Sequence, residues 1–184
     1  MHSRTASVAK ERFVPVTLAL GLGTFLVLFD VTAVVVVTPV IVRDLGFAIA
    51  GAAWIIDAYS LAFAGALLAS GALADRFGRR RAMLSGNAVF LFASIACGMA
   101  TTGPMLLASR AVQGVGAAFM VTGAIALVAG AFPNQSQRTR AFGIIGVISG
   151  VAMALGPSLG VSSRRGSVGA GYFTPIYPAA LRWL

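Results

Sequence analysis

Of the chain's 184 residues, 58% are hydrophobic and only 10% are charged, against about a quarter charged in an ordinary soluble domain, so a water-solvated globule is excluded. The net charge of +9 sits in short basic clusters between apolar runs, without the basic face or aromatic platform that would bind nucleic acid. His2 is the single histidine, Cys97 the single cysteine and Glu11 the single glutamate, which leaves no material for a metal site, a histidine-based triad or an internal disulfide, and no nucleophile with a base beside it.

Several apolar runs exceed the roughly 20 residues that cross a hydrocarbon core of about 30 Å, and these are read as spanning helices. The first covers about 13–42, after a polar N-terminal tail at 1–12. It follows Lys10, Glu11 and Arg12 as a signal peptide's apolar stretch follows its basic n-region, but it continues well past a signal's apolar length and lacks a convincing cleavage site, so it is expected to be retained. Arg43 and Asp44 break it. A second helix is predicted over about 52–74, then a basic loop from Asp75 to Arg81, a third helix over about 82–100, and a turn at Thr101-Thr102-Gly103-Pro104. A fourth helix over about 105–132 and a polar loop from Pro133 to Arg140 lead into a fifth over about 141–160. Residues 161–184 are neither helix-periodic nor long enough to span, and a disordered tail is expected there. The expected fold class is therefore an all-α membrane protein, one bundle of five transmembrane helices.

Lys and Arg number three before the first helix, four in the second loop and two in the fourth, against one in the first loop and none in the third. The rich side is cytoplasmic, which places the N-terminus of a multi-pass protein of the cell membrane inside. Glycines within the helices, among them Gly65, Gly71, Gly114, Gly116, Gly123 and Gly130, are expected to let helices approach closely.

Charges within membrane helices are costly, so Asp30, Asp57 and Arg110 are candidate functional residues. With the expected topology, Asp57 and Arg110 lie roughly 9 Å inward from the outer ends of their helices, and Asp30 lies deeper. Arg110 is expected to face Asp30 or Asp57 across a polar cavity, leaving a carboxylate that can exchange protons. The plainer reading is a structural ion pair, or for Asp57 interfacial solvation beside Trp54. No cofactor or metal is expected.

The run Gly71-Ala-Leu-Ala-Asp75-Arg76-Phe-Gly78-Arg79-Arg80-Arg81 resembles the signature loop between helices two and three of the major facilitator superfamily, which locks the cytoplasmic side in that family. Leu28-Phe29-Asp30-Val31-Thr32 with Pro39 resembles the first-helix motif of the fourteen-helix drug:proton antiporters, although Val35 to Thr38 depart from it. Trp54-Ile-Ile-Asp57-Ala-Tyr59 resembles the stretch preceding the signature loop, and Arg110-Ala-Val-Gln113-Gly114-Val-Gly116 the motif whose arginine is assigned a proton-transfer role. Gly143, Gly156, Pro157 and Gly160 stand at the spacing of the antiporter motif of helix five, where glycines pack and the proline bends the helix; Ala152 and Val161 replace two of its glycines.

The resemblance implies the first five helices of a six-helix transporter half, whose parental activity is proton-coupled export of small amphipathic, drug-like compounds. The implied partners are the lipid bilayer, protons, a small-molecule substrate and either a C-terminal half or a second copy. The family pattern stops within a motif at Gly160. Because Val168 to Phe173 can be encoded by DNA that reads Trp-Arg-Trp-Ile-Phe in another frame, as in the opening of the family's sixth helix, a frameshift or truncation after Gly160 is expected. The alternative from another class is an inactive membrane remnant, or a helix-interaction partner with no transport of its own.

Overall fold

The computed structural model describes residues 2–46, 49–132 and 134–162. Within them the chain forms α1 (His2–Asp44), α2 (Ile49–Phe77), α3 (Arg79–Gly98), α4 (Gly103–Ala131) and α5 (Gln135–Ser162), and no strand. All five carry a stretch long and apolar enough to cross a membrane, from Leu20–Arg43 in α1 to Gln135–Pro157 in α5. The protein is an all-α, multi-pass membrane protein.

Helix ends depart from the apolar runs for local reasons. The segment read as a polar tail is helical from His2. A helix satisfies its own backbone hydrogen bonds, so it can continue past the hydrocarbon boundary without an apolar face. The basic loop at 75–81 is reduced to a single residue: Asp75 and Arg76 close α2, Gly78 alone makes the turn, and Arg79, Arg80 and Arg81 open α3. Gly78 has φ 100, a conformation a side chain would strain, and its N–H still donates to the Ala74 carbonyl at 3.1 Å. Pro104 stands in the first turn of α4, where its missing N–H costs nothing. Most of the polar segment before the fifth apolar run is likewise helical, since α5 starts at Gln135, and α5 continues through Pro157. The tail expected at 161–184 lies outside the described residues beyond Ser162.

Helix α4 is the centre of the bundle, packed along α2 on one side and α3 on the other, while α5 pairs with α1 and α1 closes against α4 and α2. One apolar cluster joins Leu26 and Val27 of α1 to Tyr59, Phe90, Ala117 and Met120. A second joins Leu20 to Met83, Ala124, Val128 and Phe132, and reaches Ala141 and Ile145 of α5. Lipid tails are as apolar as these side chains, so close packing and polar contacts must hold helices together. Polar glue is present between α2 and α4, where the Thr122 hydroxyl donates to Ser70 Oγ at 2.9 Å.

The close approaches are made at glycines. A Cβ on Gly116 would lie 2.6 Å from the Phe90 backbone nitrogen, one on Gly86 2.7 Å from the Met120 nitrogen, and one on Gly123 3.0 Å from Met83 Cα, which together define the α3–α4 seam. On the other side of α4 a Cβ at Gly114 would strike the Tyr59 carbonyl oxygen, and between α1 and α5 one at Gly156 would strike Thr32 Oγ1. Gly143, expected to pack, faces open space, as do Gly65 and Gly71. The surroundings of Gly160 lie outside the described residues.

Candidate functional site

Asp30 sits near the middle of the α1 span and Arg110 two turns into α4, and the packing of these helices brings the two side chains together. Arg110 Nη1 donates to Asp30 Oδ2 at 2.6 Å. Gln113 lies three residues after Arg110, on the same helix face. Its Nε2 donates to Asp30 Oδ1 at 2.9 Å, while its Oε1 accepts from Arg110 Nη1 at 2.7 Å. The three side chains thus close a ring in which both carboxylate oxygens are occupied.

Two further helices complete the site. The carbonyl of Ile55 on α2 accepts from Arg110 Nε at 3.3 Å, and the Tyr59 ring centroid lies 4.5 Å from the guanidinium carbon. From α3, Cys97 donates its thiol to Gln113 Oε1 at 3.7 Å. The cluster is buried, with Asp30 8%, Arg110 3%, Gln113 1% and Tyr59 5% exposed. Burial of this kind is tolerated because each charge keeps its partner and the amide adds one hydrogen bond to each of the two. Chemically, the ring holds a carboxylate, a guanidinium and an amide within mutual hydrogen-bonding distance, all buried between the helices.

Asp57 is not part of this cluster. It is exposed on α2, whereas Ile55 and Tyr59, four residues apart, face α4. At about 100° per residue Asp57 falls on the opposite side of α2 from both, which resolves the choice of partner for Arg110 in favour of Asp30.

The signature residues lie far from the cluster along the axis of α2, since the sixteen residue steps from Tyr59 to Asp75 span about 24 Å at helical rise. Asp75 and Arg79 form an exposed ion pair at 3.8 Å, and Arg79 Nη1 also donates to the Ala126 carbonyl of α4 at 3.0 Å. That places a cation toward the C-terminal end of α4, where the helix dipole favours it. Gly130 makes room for it: a Cβ there would lie 2.9 Å from Arg79 Nη1. Arg76 packs over the Phe77 ring at 5.6 Å, and Arg80 and Arg81 are exposed around an open groove shared with Leu84 and Leu127.

Gln113, Ile55 and Tyr59 were not among the expected site residues. Gln113 carried a readable signal, because a primary amide within an apolar helix needs a partner inside the bundle. Ile55 contributes through its backbone, which no side-chain pattern announces.

A family model described as Major Facilitator Superfamily matches residues 20–162. Among curated proteins, the chain is 39% identical over 147 residues to the methylenomycin A resistance protein of Bacillus subtilis, an alignment covering 80% of this chain and 32% of that protein. It is 40% identical over 159 residues to the cephamycin export protein CmcT of Amycolatopsis lactamdurans, covering 86% of this chain and 33% of that protein. It is 38% identical over 143 residues to the multidrug resistance protein Stp of Mycobacterium tuberculosis, covering 78% and 27%. The chain therefore spans about a third of the length of the curated relatives it matches.

Proposed function

The chain belongs to the major facilitator superfamily, and from that premise we propose that it supplies the first five membrane helices of a proton-coupled exporter of small amphipathic compounds, with Asp30 as the group that exchanges the proton. The observation that carries this reading is the buried ring of Asp30, Arg110 and Gln113. Proton binding at Asp30 removes one member of an ion pair deep in the membrane, and the arginine must then be held differently. A change of charge in a low-dielectric site is large enough in energy to bias one helix arrangement over another. The names of the relatives, which speak of resistance to or export of antibiotics, support drug-like substrates. Asp75, Arg76, Gly78, Arg79 and Arg80 take the gating role at the cytoplasmic end, with Arg79 tying α3 to α4.

The test replaces the corresponding third of the methylenomycin A resistance protein with residues 20–162 of this chain and follows proton-driven efflux of a fluorescent cationic dye from cells. Efflux that collapses with an uncoupler and is lost in Asp30→Asn is the expected result. Efflux that survives Asp30→Asn removes the proton role from this residue, and a correctly inserted chimera without efflux leaves the chain as a membrane element with no transport of its own.

The proposed orientation has the N-terminus in the cytoplasm of a cell whose surface membrane holds the protein. A cysteine placed at Thr102 in a Cys97→Ala background is expected to react with an impermeant maleimide from outside intact cells, and one at Arg80 only after permeabilisation. The reverse pattern inverts the topology.

A further inference from the structure

The Arg110 guanidinium is gripped by more than its charge partner. Its Nε is bound to the Ile55 carbonyl and its carbon lies over the Tyr59 ring. Tyr59 is itself fixed: its carbonyl abuts Gly114, one turn beyond Arg110 on α4, and its ring stacks with Phe63 at 6.2 Å and an interplanar angle of 7°. The hydroxyl takes no part, because Tyr59 Oη is buried without a hydrogen-bond partner among the described residues. A buried hydroxyl left unpaired is a cost, so this position contributes its ring to the site.

The ring matters most at the moment Asp30 takes up a proton from a hydronium ion, whose O–H bond breaks and which leaves as water. An O–H bond then forms on the carboxyl, while Arg110 remains a cation because a guanidinium does not deprotonate in proteins. It is left in a buried position without its counter-charge, touching three neutral groups: Gln113 Oε1, the Ile55 carbonyl and the Tyr59 ring. A cation on an aromatic face is held more strongly where it is desolvated, and Arg110 is only 3% exposed.

We propose that the Tyr59 ring and the Ile55 carbonyl form a neutral seat that retains Arg110 in the site while Asp30 is protonated, which makes Tyr59 a positioning residue for proton exchange. This rests on the reading of Asp30 as the exchanging group. The charged and titratable groups around the seat are Asp30 from α1, Arg110 from α4 and Cys97 from α3; Asp57 stands on the far side of α2. The ring and the carbonyl already touch Arg110 while the ion pair stands; the seat favours the protonated state because a guanidinium released by the carboxyl settles more closely on the ring and the carbonyl, its remaining partners on α2. Removing the ring therefore opposes proton uptake.

The test uses the chain itself, reconstituted in lipid nanodiscs, with the carbonyl stretch of the protonated Asp30 carboxyl followed by infrared difference titration and assigned by its loss in Asp30→Asn. Tyr59→Phe, which keeps the ring, is expected to titrate with the unsubstituted midpoint. Tyr59→Leu and the volume-filling Tyr59→Met are expected to move the midpoint about one pH unit toward acid, a tenfold change in proton concentration. Circular dichroism verifies the helices, and if Tyr59→Leu loses them Tyr59→Met decides alone. An unmoved midpoint in the folded ring-deleted variants overturns the seat and leaves Asp30 as the exchanging group. Equal shifts in Tyr59→Phe and the ring-deleted variants overturn it as well, by assigning the effect to the hydroxyl. If no band is lost in Asp30→Asn, the reading of Asp30 fails and the seat falls with it.

Discussion

Arg110→Leu is expected to lower the stability of the helix bundle by about 3–5 kcal/mol, the range for removing one partner of a buried ion pair. The substitution strips Asp30 of its cation at a site where only 8% of the residue is exposed, and leaves Gln113 as its remaining donor. It also frees the Ile55 carbonyl, the only contact through which α2 hydrogen-bonds to this cluster among the described residues. The loss should deepen as pH rises. At low pH the stranded carboxyl can be protonated and tolerated, whereas at neutral pH and above the bundle must either bury an unpaired carboxylate or hold a proton against the solution. Thermal unfolding in detergent, followed by circular dichroism at several pH values, measures both effects. The double variant Arg110→Leu with Asp30→Asn is expected to recover much of the loss, because no uncompensated charge remains. A double variant no more stable than the single would show that the arginine acts through packing of its stem rather than through its charge.

Gly114→Leu is expected to be nearly as damaging, and by a different route. Its first side-chain atom already collides with the Tyr59 carbonyl oxygen, and the backbone nitrogen of Phe63 lies only 3.1 Å from it. Backbone cannot step aside as a flexible side chain can, so α2 must move off α4. Overpacking of this kind costs about 1–3 kcal/mol, with the upper end expected here because the obstruction is main chain. The displacement would carry Ile55 and Tyr59 away from Arg110, so the variant should also disturb the charge cluster while leaving each of its side chains intact. Gly143→Leu, on a face where a Cβ meets open space, is expected to change stability by less than about 0.5 kcal/mol. Thermal midpoints of the two variants in the same detergent decide the matter; equal midpoints would mean that the α2–α4 contact relaxes freely.

The contrast between these two glycines shows what a pattern can and cannot convey. Every predicted helix carries glycine, the fourth and fifth most of all, and close packing is a sound general expectation. Which glycines bear a neighbour depends on how each helix is rotated about its axis, and rotation follows from the sum of contacts around the bundle. Gly114, Gly116 and Gly156 fall on contact faces, Gly86 and Gly123 join them, and Gly143, Gly65 and Gly71 do not. The same rotation separates Asp57 from Asp30: both are acids inside apolar runs, but only Asp30 looks into the bundle.

The amino-acid sequence by itself determined that this is a membrane protein of five spanning helices, because hydrocarbon demands about 20 apolar residues per crossing and tolerates no unpaired backbone. It also singled out Asp30 and Arg110, since a charge in such a setting is too costly to be incidental. Tertiary structure alone decided which acid meets the arginine, that Gln113 closes the ring, and that a backbone carbonyl and an aromatic face on α2 hold the same cation. Those are relations between helices far apart in the chain, set by azimuth and by glycine-permitted closeness, and neither quantity is written in the periodicity of any one segment.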